Sequence, residues 1–343
     1  MSLFKIAIVG DCYDEASDLA KRAFHPSGSA GKELDGMLAD AGIARAECFI
    51  TTVFNLRVPG GDVKALCAKK TAGSYIPGKP ALVPAGYCRA EYAGQVDRVL
   101  RELTEVRPNI TVLMGNTATW AVNNQTAVSK LRGAVTTSGL LPGFKILPTY
   151  HPTAIARQYD LRPVTVLDLM KAKAESEFLE LRRPKREVWI DPTIEDIILF
   201  KERYIDGCAD LAFDIETSNE QITCIGFAPS IDRCLVIPIW DIRKPNGSYW
   251  GTLDEELMVW KLIASILAGP EPKVGQNGLY DIQYLWMRYG VPVVNYAHDT
   301  MLLHHSLLPE CPKGLDFLGS VYTNEVAWKQ DRPRGKNTIK RED

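Results

Sequence analysis

No Cys-x-x-Cys pair occurs in the 343 residues. The eight cysteines (Cys12, Cys48, Cys67, Cys88, Cys208, Cys224, Cys234 and Cys311) are scattered along the chain. That scatter excludes the usual zinc-ribbon and iron–sulfur spacings and argues against a disulfide scaffold. No apolar run approaches the roughly 18 residues a membrane span needs. The N-terminus, Met1-Ser2-Leu3-Phe4-Lys5-Ile6, runs straight into a strand pattern and lacks a signal-peptide layout. A cytoplasmic location is therefore expected. There is no internal repeat and no low-complexity block, so a solenoid is excluded.

What is present is ordinary for a globular chain: 46% hydrophobic and 24% charged residues. The length exceeds one comfortable core, so two domains are expected. A net charge of −2 hides an offset. Residues 1–183 carry 23 Lys+Arg against 18 Asp+Glu, and residues 184–343 carry 17 against 24. A mildly basic half and an acidic half are both compatible with nucleic acid, although offsets of this size are common on solvated surfaces.

Hydrophobic periodicity divides the chain. Strand patterns at Phe4–Val9, Cys48–Phe54, Ile110–Met114 and Phe144–Pro148 alternate with helical spacing at Gly31–Asp40, Tyr92–Val106, Asn116–Asn123 and Pro163–Leu181. This alternation predicts a three-layer α/β domain over residues 1–181 with a mostly parallel sheet. The charged, Pro-broken stretch 182–192 reads as a linker. Beyond it, helical spacing covers Thr193–Tyr204, and Asp210–Glu216, Ile222–Pro229 and Cys234–Pro238 form a strand meander. Helices follow at Asp254–Leu267, Ile282–Tyr289, Asp299–Leu308 and Leu315–Tyr322, with a short strand at Lys273–Gly275. These predict a second, mixed-sheet α/β domain over 193–343. The Gly/Pro-rich stretch Asp62–Gly86 reads as a long loop, a class often functional.

In the second half, Asp214 and Glu216 lie two apart on a predicted strand and so point the same way. Asp281 follows 67 positions after Asp214. Hard carboxylate oxygens suit Mg²⁺ or Mn²⁺. Two-metal phosphodiester cleavage uses about four such carboxylates around ions roughly 3.5–4 Å apart. An isolated Asp-x-Glu pair is more often a solvated strand end, but here it follows buried-type residues and is joined by Asp281. The motifs Asp214-Ile215-Glu216-Thr217, Gln276-Asn277-Gly278-Leu279-Tyr280-Asp281 and His298-Asp299-Thr300, with Gly314-Leu315-Asp316-Phe317-Leu318, resemble in order the DEDD 3′–5′ exonuclease domain of family A DNA polymerases and their phage relatives. The resemblance implies a ribonuclease H-like fold. Asp214 would bridge two metals, Glu216 would hold the metal that activates water, and Asp281 would bind the second. Asn277 and Tyr280 would lie at the substrate. Asp299 reads either as part of this pattern or as a helix N-cap.

The family's last motif, Tyr-x-x-x-Asp, has no match: Tyr322 is followed by Val326 four residues on, and Lys329–Asp343 is a basic tail without a helical stripe. The expectation is an exonuclease domain incomplete at its C-terminus, with a downstream polymerase polypeptide as partner and single-stranded DNA or a primer end as substrate. The competing expectation is a non-catalytic DNA-binding or assembly module of a phage replication complex.

In the first half, Val9-Gly10-Asp11, Ala23-Phe24-His25-Pro26 with Gly28-Ser29-Ala30-Gly31, Ile50-Thr51-Thr52, Met114-Gly115-Asn116 and Pro148-Thr149-Tyr150-His151-Pro152 resemble in order the uracil-DNA glycosylase superfamily of the family 4 and 5 type. The resemblance implies that Phe24 stacks a flipped base, Asp11 orients or activates water, and His151 donates to a uracil oxygen as charge builds on the leaving base. The Gly28–Gly31 turn would offer N–H groups to a phosphate. Three departures stand out. Thr52 occupies the position of the family's base-reading Asn, and a hydroxyl cannot make an amide's paired contacts. Leu56 stands where a cluster cysteine is expected, so no iron–sulfur cluster is expected. Tyr13 lies where relatives have a Gly/Pro-rich loop. Phe24 and His151 remain readable as core and loop residues, Asp11 as a turn cap, and Cys12 as a small buried thiol. An active uracil-DNA glycosylase is a third functional expectation.

Overall fold

The structure is a computed structural model that describes residues 4–71 and 73–325. The chain forms two compact units, split after Arg182, with residues 316–325 grouped with the first unit.

The first unit is built on β1 (Ile6–Tyr13), β2 (Cys48–Arg57), β3 (Cys67–Ala68), β4 (Tyr87–Cys88), β5 (Ile110–Met114), β6 (Thr136–Thr137) and β7 (Lys145–Thr149). Five of them form a sheet in the order β2-β1-β5-β7-β6. Its first four strands are parallel, and β6 is antiparallel to β7. β5, Ile-Thr-Val-Leu-Met, is buried at every residue, as a parallel strand covered on both faces must be. Alternation sends Ile6, Ile8 and Val112 to one face, against Leu34, Met37 and Leu169 of helices Ser29–Asp40 and Leu161–Glu175. Ala7, Val9 and Leu113 face the other way, toward Val96, Val99 and Leu103 of Ala93–Val106 and Trp120 of Gly115–Asn123. This is the expected three-layer arrangement.

The second unit contains β8 (Glu187–Ile190), β9 (Leu211–Ser218), β10 (Gln221–Ser230), β11 (Arg233–Pro238), β12 (Lys273–Gly275) and β13 (Tyr296–Asp299). Their order is β13-β12-β9-β10-β11-β8. β9, β10 and β11 form the antiparallel meander, while β12 and β13 run parallel to β9 on its other side. A central strand, β9, flanked by its own meander and by two later parallel strands, is a ribonuclease H-like sheet, to which β8 adds an edge. Leu211, Phe213 and Ile215 point into one core with Val259, Ile263 and Leu267 of helix Leu253–Leu267. That helix starts at a capping box, Thr252 with Glu255.

Several boundaries differ from the sequence reading. β8 and β13 were not expected. β8 is almost wholly exposed at the sheet edge, so it carries no alternation, and β13 has only four residues. The helix expected at Pro163–Leu181 is Leu161–Glu175. The helix expected through Tyr204 is α-helical only to Phe200 and continues as one wider π turn, Lys201–Ile205. The helix expected from Ile282 starts at Leu279, which places Asp281 in its first turn. The long loop Asp62–Gly86 is closed by β3 and β4, paired antiparallel through Cys67 with Cys88 and Ala68 with Tyr87.

Candidate active sites

Asp11 lies near the C-terminal end of β1 and His151 follows β7, both central parallel strands. Ligands commonly bind beyond the carboxyl ends of such strands. Asp11 is held by the Thr117 hydroxyl and the Ala118 N–H at the start of helix Gly115–Asn123. Burial pushes its carboxyl pKa up, an effect partly opposed by His151 and these two donors. Burial pushes His151 down and so keeps the imidazole neutral. Its Nδ1 accepts from the Thr153 N–H at 3.2 Å and sits 2.8 Å from the Thr153 hydroxyl. That pattern assigns the ring proton to Nε2. Asp11 Oδ1 and His151 Nε2 are both buried without a hydrogen-bond partner among the described residues. Gly115, at φ +88°, separates the two: a Cβ there would stand 3.1 Å from both Asp11 Oδ1 and the His151 Cβ.

Phe24 is buried and adopts a left-handed backbone, φ +47°. Its ring lies over Gly10, where any Cβ would overlap it, and its centroid is 5.3 Å from the His151 ring. Phe24, Asp11 and His151, far apart in the chain, therefore lie together. Thr52, adjacent to Gly10 across β1 and β2, is nearly fully buried. Its hydroxyl lies 2.7 Å from Asn55 Oδ1 and 3.2 Å from the Phe54 carbonyl. It is thus engaged within its own strand. Sequence reasoning missed Asn55, although it lies only three residues on. It also missed Arg98, which donates to the Thr52 and Val53 carbonyls and anchors the middle of β2. Tyr13 is buried in the core at the end of β1. His25 Nδ1 is 2.8 Å from the Ser27 hydroxyl, ahead of the Gly28–Gly31 turn. That turn is tight, because a Cβ on Gly31 would overlap the His25 carbonyl.

In the second unit, β9 alternates strictly, with Leu211, Phe213 and Ile215 buried and Asp214 and Glu216 exposed on the opposite face. Asp281 is buried, and its Oδ1 accepts from the Ile215 N–H at 3.1 Å, which ties it to the same strand. Burial, then the charge of Glu216, raises the Asp214 pKa. Burial raises Asp281 to about 6, with Asp214 and Asp299 adding to the rise and the Ile215 N–H opposing it. Tyr280 is half-exposed, and its hydroxyl is 3.1 Å from the Thr217 hydroxyl. Asn277, at φ +56°, is exposed and gives its N–H to Asp299.

Asp299 resolves as a cap. Its carboxylate accepts from Met301, Leu302, Asn277 and Gly278 N–H groups and from the Tyr296 hydroxyl. These donors hold its pKa below the usual carboxylate range despite burial. The repulsion of Asp214 with Glu216 and with Asp281, and the all-oxygen chemistry of the three, suit a hard divalent cation. Among the described residues, however, no three His, Cys, Asp or Glu side chains close into one metal-binding group. No described helix is long and apolar enough to cross a membrane.

A family model described as the uracil DNA glycosylase superfamily matches residues 4–179, more than half of the chain. The chain belongs to the uracil DNA glycosylase superfamily. It is similar to the type-4 uracil-DNA glycosylase of Thermotoga maritima, 25% identical over 174 residues, which cover 50% of this chain and 77% of that protein. It is also 26% identical to the type-4 enzyme of Archaeoglobus fulgidus over 173 residues, covering 49% of this chain and 74% of that one. Solved structures similar to it include the Aedes aegypti Nibbler EXO domain, with TM-score 0.32, 15% identity, and 47% and 80% of the two chains covered. Another is the EXD2 exonuclease domain soaked in Mn and GMP, with TM-score 0.28, 15% identity, and coverage of 45% and 79%. A third is Escherichia coli RNase D, with TM-score 0.29 and 16% identity, where 41% of this chain matches only 34% of that one. The glycosylase match, residues 4–179, falls within the first unit, which is also the unit that carries Asp11, Phe24 and His151.

Proposed function

We propose that this chain processes DNA, and that its second unit removes nucleotides from the 3′ ends of single strands with Mg²⁺ or Mn²⁺. The observation that carries the reading is β9: Asp214 and Glu216 share its exposed face, and Asp281 is bonded to the same strand between them at Ile215. Asp214, Glu216 and Asp281 would hold the cations. When bound, two such ions lower the pKa of an attacking water and neutralise the leaving oxygen. The protein's own contribution is placement. The strand fixes two carboxylates, the helix Leu279–Tyr289 brings the third, and the Tyr280 hydroxyl at Thr217 offers a polar edge to a strand end. The order of the motifs that are present resembles that of the proofreading region of phage-type family A polymerases, which supports a DNA polymerase as the partner. A 5′-labelled single-stranded oligonucleotide incubated with Mn²⁺ tests the reading. Stepwise shortening is expected, slowed in Asp214→Ala on the order of 100-fold, or about 2.7 kcal/mol of transition-state stabilisation. Equal digestion by wild type and variant, or none by wild type, would sink it.

The buried pair of unpartnered atoms supports a second activity in the first unit, excision of a flipped base. Phe24 supplies a ring to stack on, and the Nε2–H of neutral His151 supplies a donor for a base oxygen gaining charge. Thr52 spends its hydroxyl on Asn55, which argues against its reading the base. Abasic sites formed in a uracil-containing oligonucleotide would be the readout. His151→Ala is expected to abolish them, and identical yields from both proteins would remove His151 from the mechanism.

A further inference from the structure

Residues 63–90 contain Lys64, Lys69, Lys70, Lys79 and Arg89 and not one Asp or Glu, in a chain whose net charge is −2. The pairing of β3 and β4 arranges part of this charge on one face. Ala68 lies opposite Tyr87, and an isolated bridge sets Tyr75 opposite Arg89. Directly opposed residues, and residues two apart on a strand, share a face. Tyr75, Tyr87 and Arg89 therefore stand together. The two tyrosine rings are 5.3 Å apart, and the Lys70 ammonium sits over both, 5.9 Å from Tyr75 and 5.4 Å from Tyr87. Cys88 and Ile76 are buried in the core beneath. Lys69, Lys70 and Arg89 are exposed, and Tyr75 and Tyr87 are half-buried. Arg89 lies 3.6 Å from Glu91, an exposed pair of little energetic weight.

We propose that this hairpin is a docking platform for single-stranded DNA, with bases stacking at Tyr75 and Tyr87 and phosphates lying along Lys69, Lys70 and Arg89. Charge complementarity selects a polyanion. The paired rings select one whose bases are unstacked, since every base offers a π-face and duplex DNA does not present it. The hairpin leaves the end of β2 and returns to helix Ala93–Val106, so a strand held here is anchored to the unit that carries the Asp11 and His151 pocket. The proposal rests on the chain acting on DNA but not on either catalytic reading.

The test is fluorescence anisotropy of a labelled 20-nucleotide oligo(dT) with the full chain in EDTA, so that cleavage does not intervene. Tyr75→Ala/Tyr87→Ala is expected to weaken binding by about 5- to 100-fold per ring lost, with the salt dependence kept. Lys69→Ala/Lys70→Ala is expected to weaken it too and to reduce the slope of log K against log salt by about 1.4, roughly 0.7 for each phosphate contact. Lys261→Ala, in the second unit, is the control and should bind as wild type. Wild-type affinity in both hairpin variants, with circular dichroism and melting unchanged, would overturn the platform while leaving the nuclease reading standing. So would a duplex of the same length bound equally tightly and equally indifferent to the tyrosine change. Normal oligo(dT) binding by a protein that digests nothing in Mn²⁺ would instead remove the nuclease reading and keep the platform.

Discussion

Burying Asp11 beside His151 gives the first unit two opposed pH dependences. The folded pKa of Asp11 is raised, so its contribution to stability is present below the unfolded value near 3.9 and lost as pH rises through the folded value. The folded pKa of His151 is lowered, so its contribution is present above about 6.5 and lost as pH falls toward the folded value. At neutral pH, above the unfolded value, burying Asp11 is therefore a cost. Asp11→Asn, which keeps the acceptor for Thr117 and Ala118, is expected to raise stability at pH 7 by about 1 kcal/mol, or 2–4 °C in melting temperature, while abolishing any glycosylase activity. Urea midpoints between pH 4 and 8 should show that gain shrinking toward acid, and His151→Gln should flatten the loss below about pH 6.5. A gain that stays constant across the range would contradict a buried, raised carboxyl at Asp11.

At the scale of single elements, β7 is held in place by charge. Asp168, on helix Leu161–Glu175, accepts from the Arg132 guanidinium and from the Thr149 hydroxyl, the latter at 2.6 Å. Arg132 and Asp168 are 3% and 1% exposed, so neither charge has water as an alternative partner. Thr149 is two residues before His151, which links this pair to the pocket. Asp168→Ala is expected to cost about 3–5 kcal/mol because it strands a buried guanidinium. Arg132→Met/Asp168→Leu should cost much less than that single change. Denaturant unfolding would show the difference, and additive losses in the double variant would mean that the two side chains do not act as a pair. In the second unit, Asp299 plays the comparable part with five donors, and sequence spacing alone could not separate that cap from a ligand.

At the scale of the whole molecule, the two units have separate cores, one around β9 and the others flanking β1. Two calorimetric transitions are therefore expected. A ligand that binds only the folded second unit raises only its transition. Mn²⁺ should shift one of the two, and Asp214→Ala should erase the shift. Residues 316–325 belong to the first unit: Arg132 donates to the Ser320 hydroxyl, Lys171 to the Ser320 and Thr323 carbonyls, and Asn324 to Glu175. Ending the chain after Leu315 is thus expected to lower the transition that Mn²⁺ leaves unmoved. A fall in the Mn²⁺-responsive transition instead would assign this segment to the second unit.

Much of this was legible in the residues themselves. Alternating apolar periods of about 2 and 3.6 depend only on side-chain direction, so the three-layer unit, the meander and the faces of Asp214 and Glu216 could be read before any coordinates. Phe24, Asp11 and His151 were singled out by the resemblance to the glycosylase superfamily rather than by any period, and their meeting is a property of the fold. The strand β8 carries no such period at its exposed edge, and no local pattern reports that residues 316–325 return to Arg132 and Lys171. Whether Thr52 faces a base or Asn55, whether Asp299 binds or caps, and whether Lys70 finds two tyrosine rings are decided by how the chain folds back around each side chain. Those choices depend on which groups burial leaves without water, and only the tertiary structure determines that.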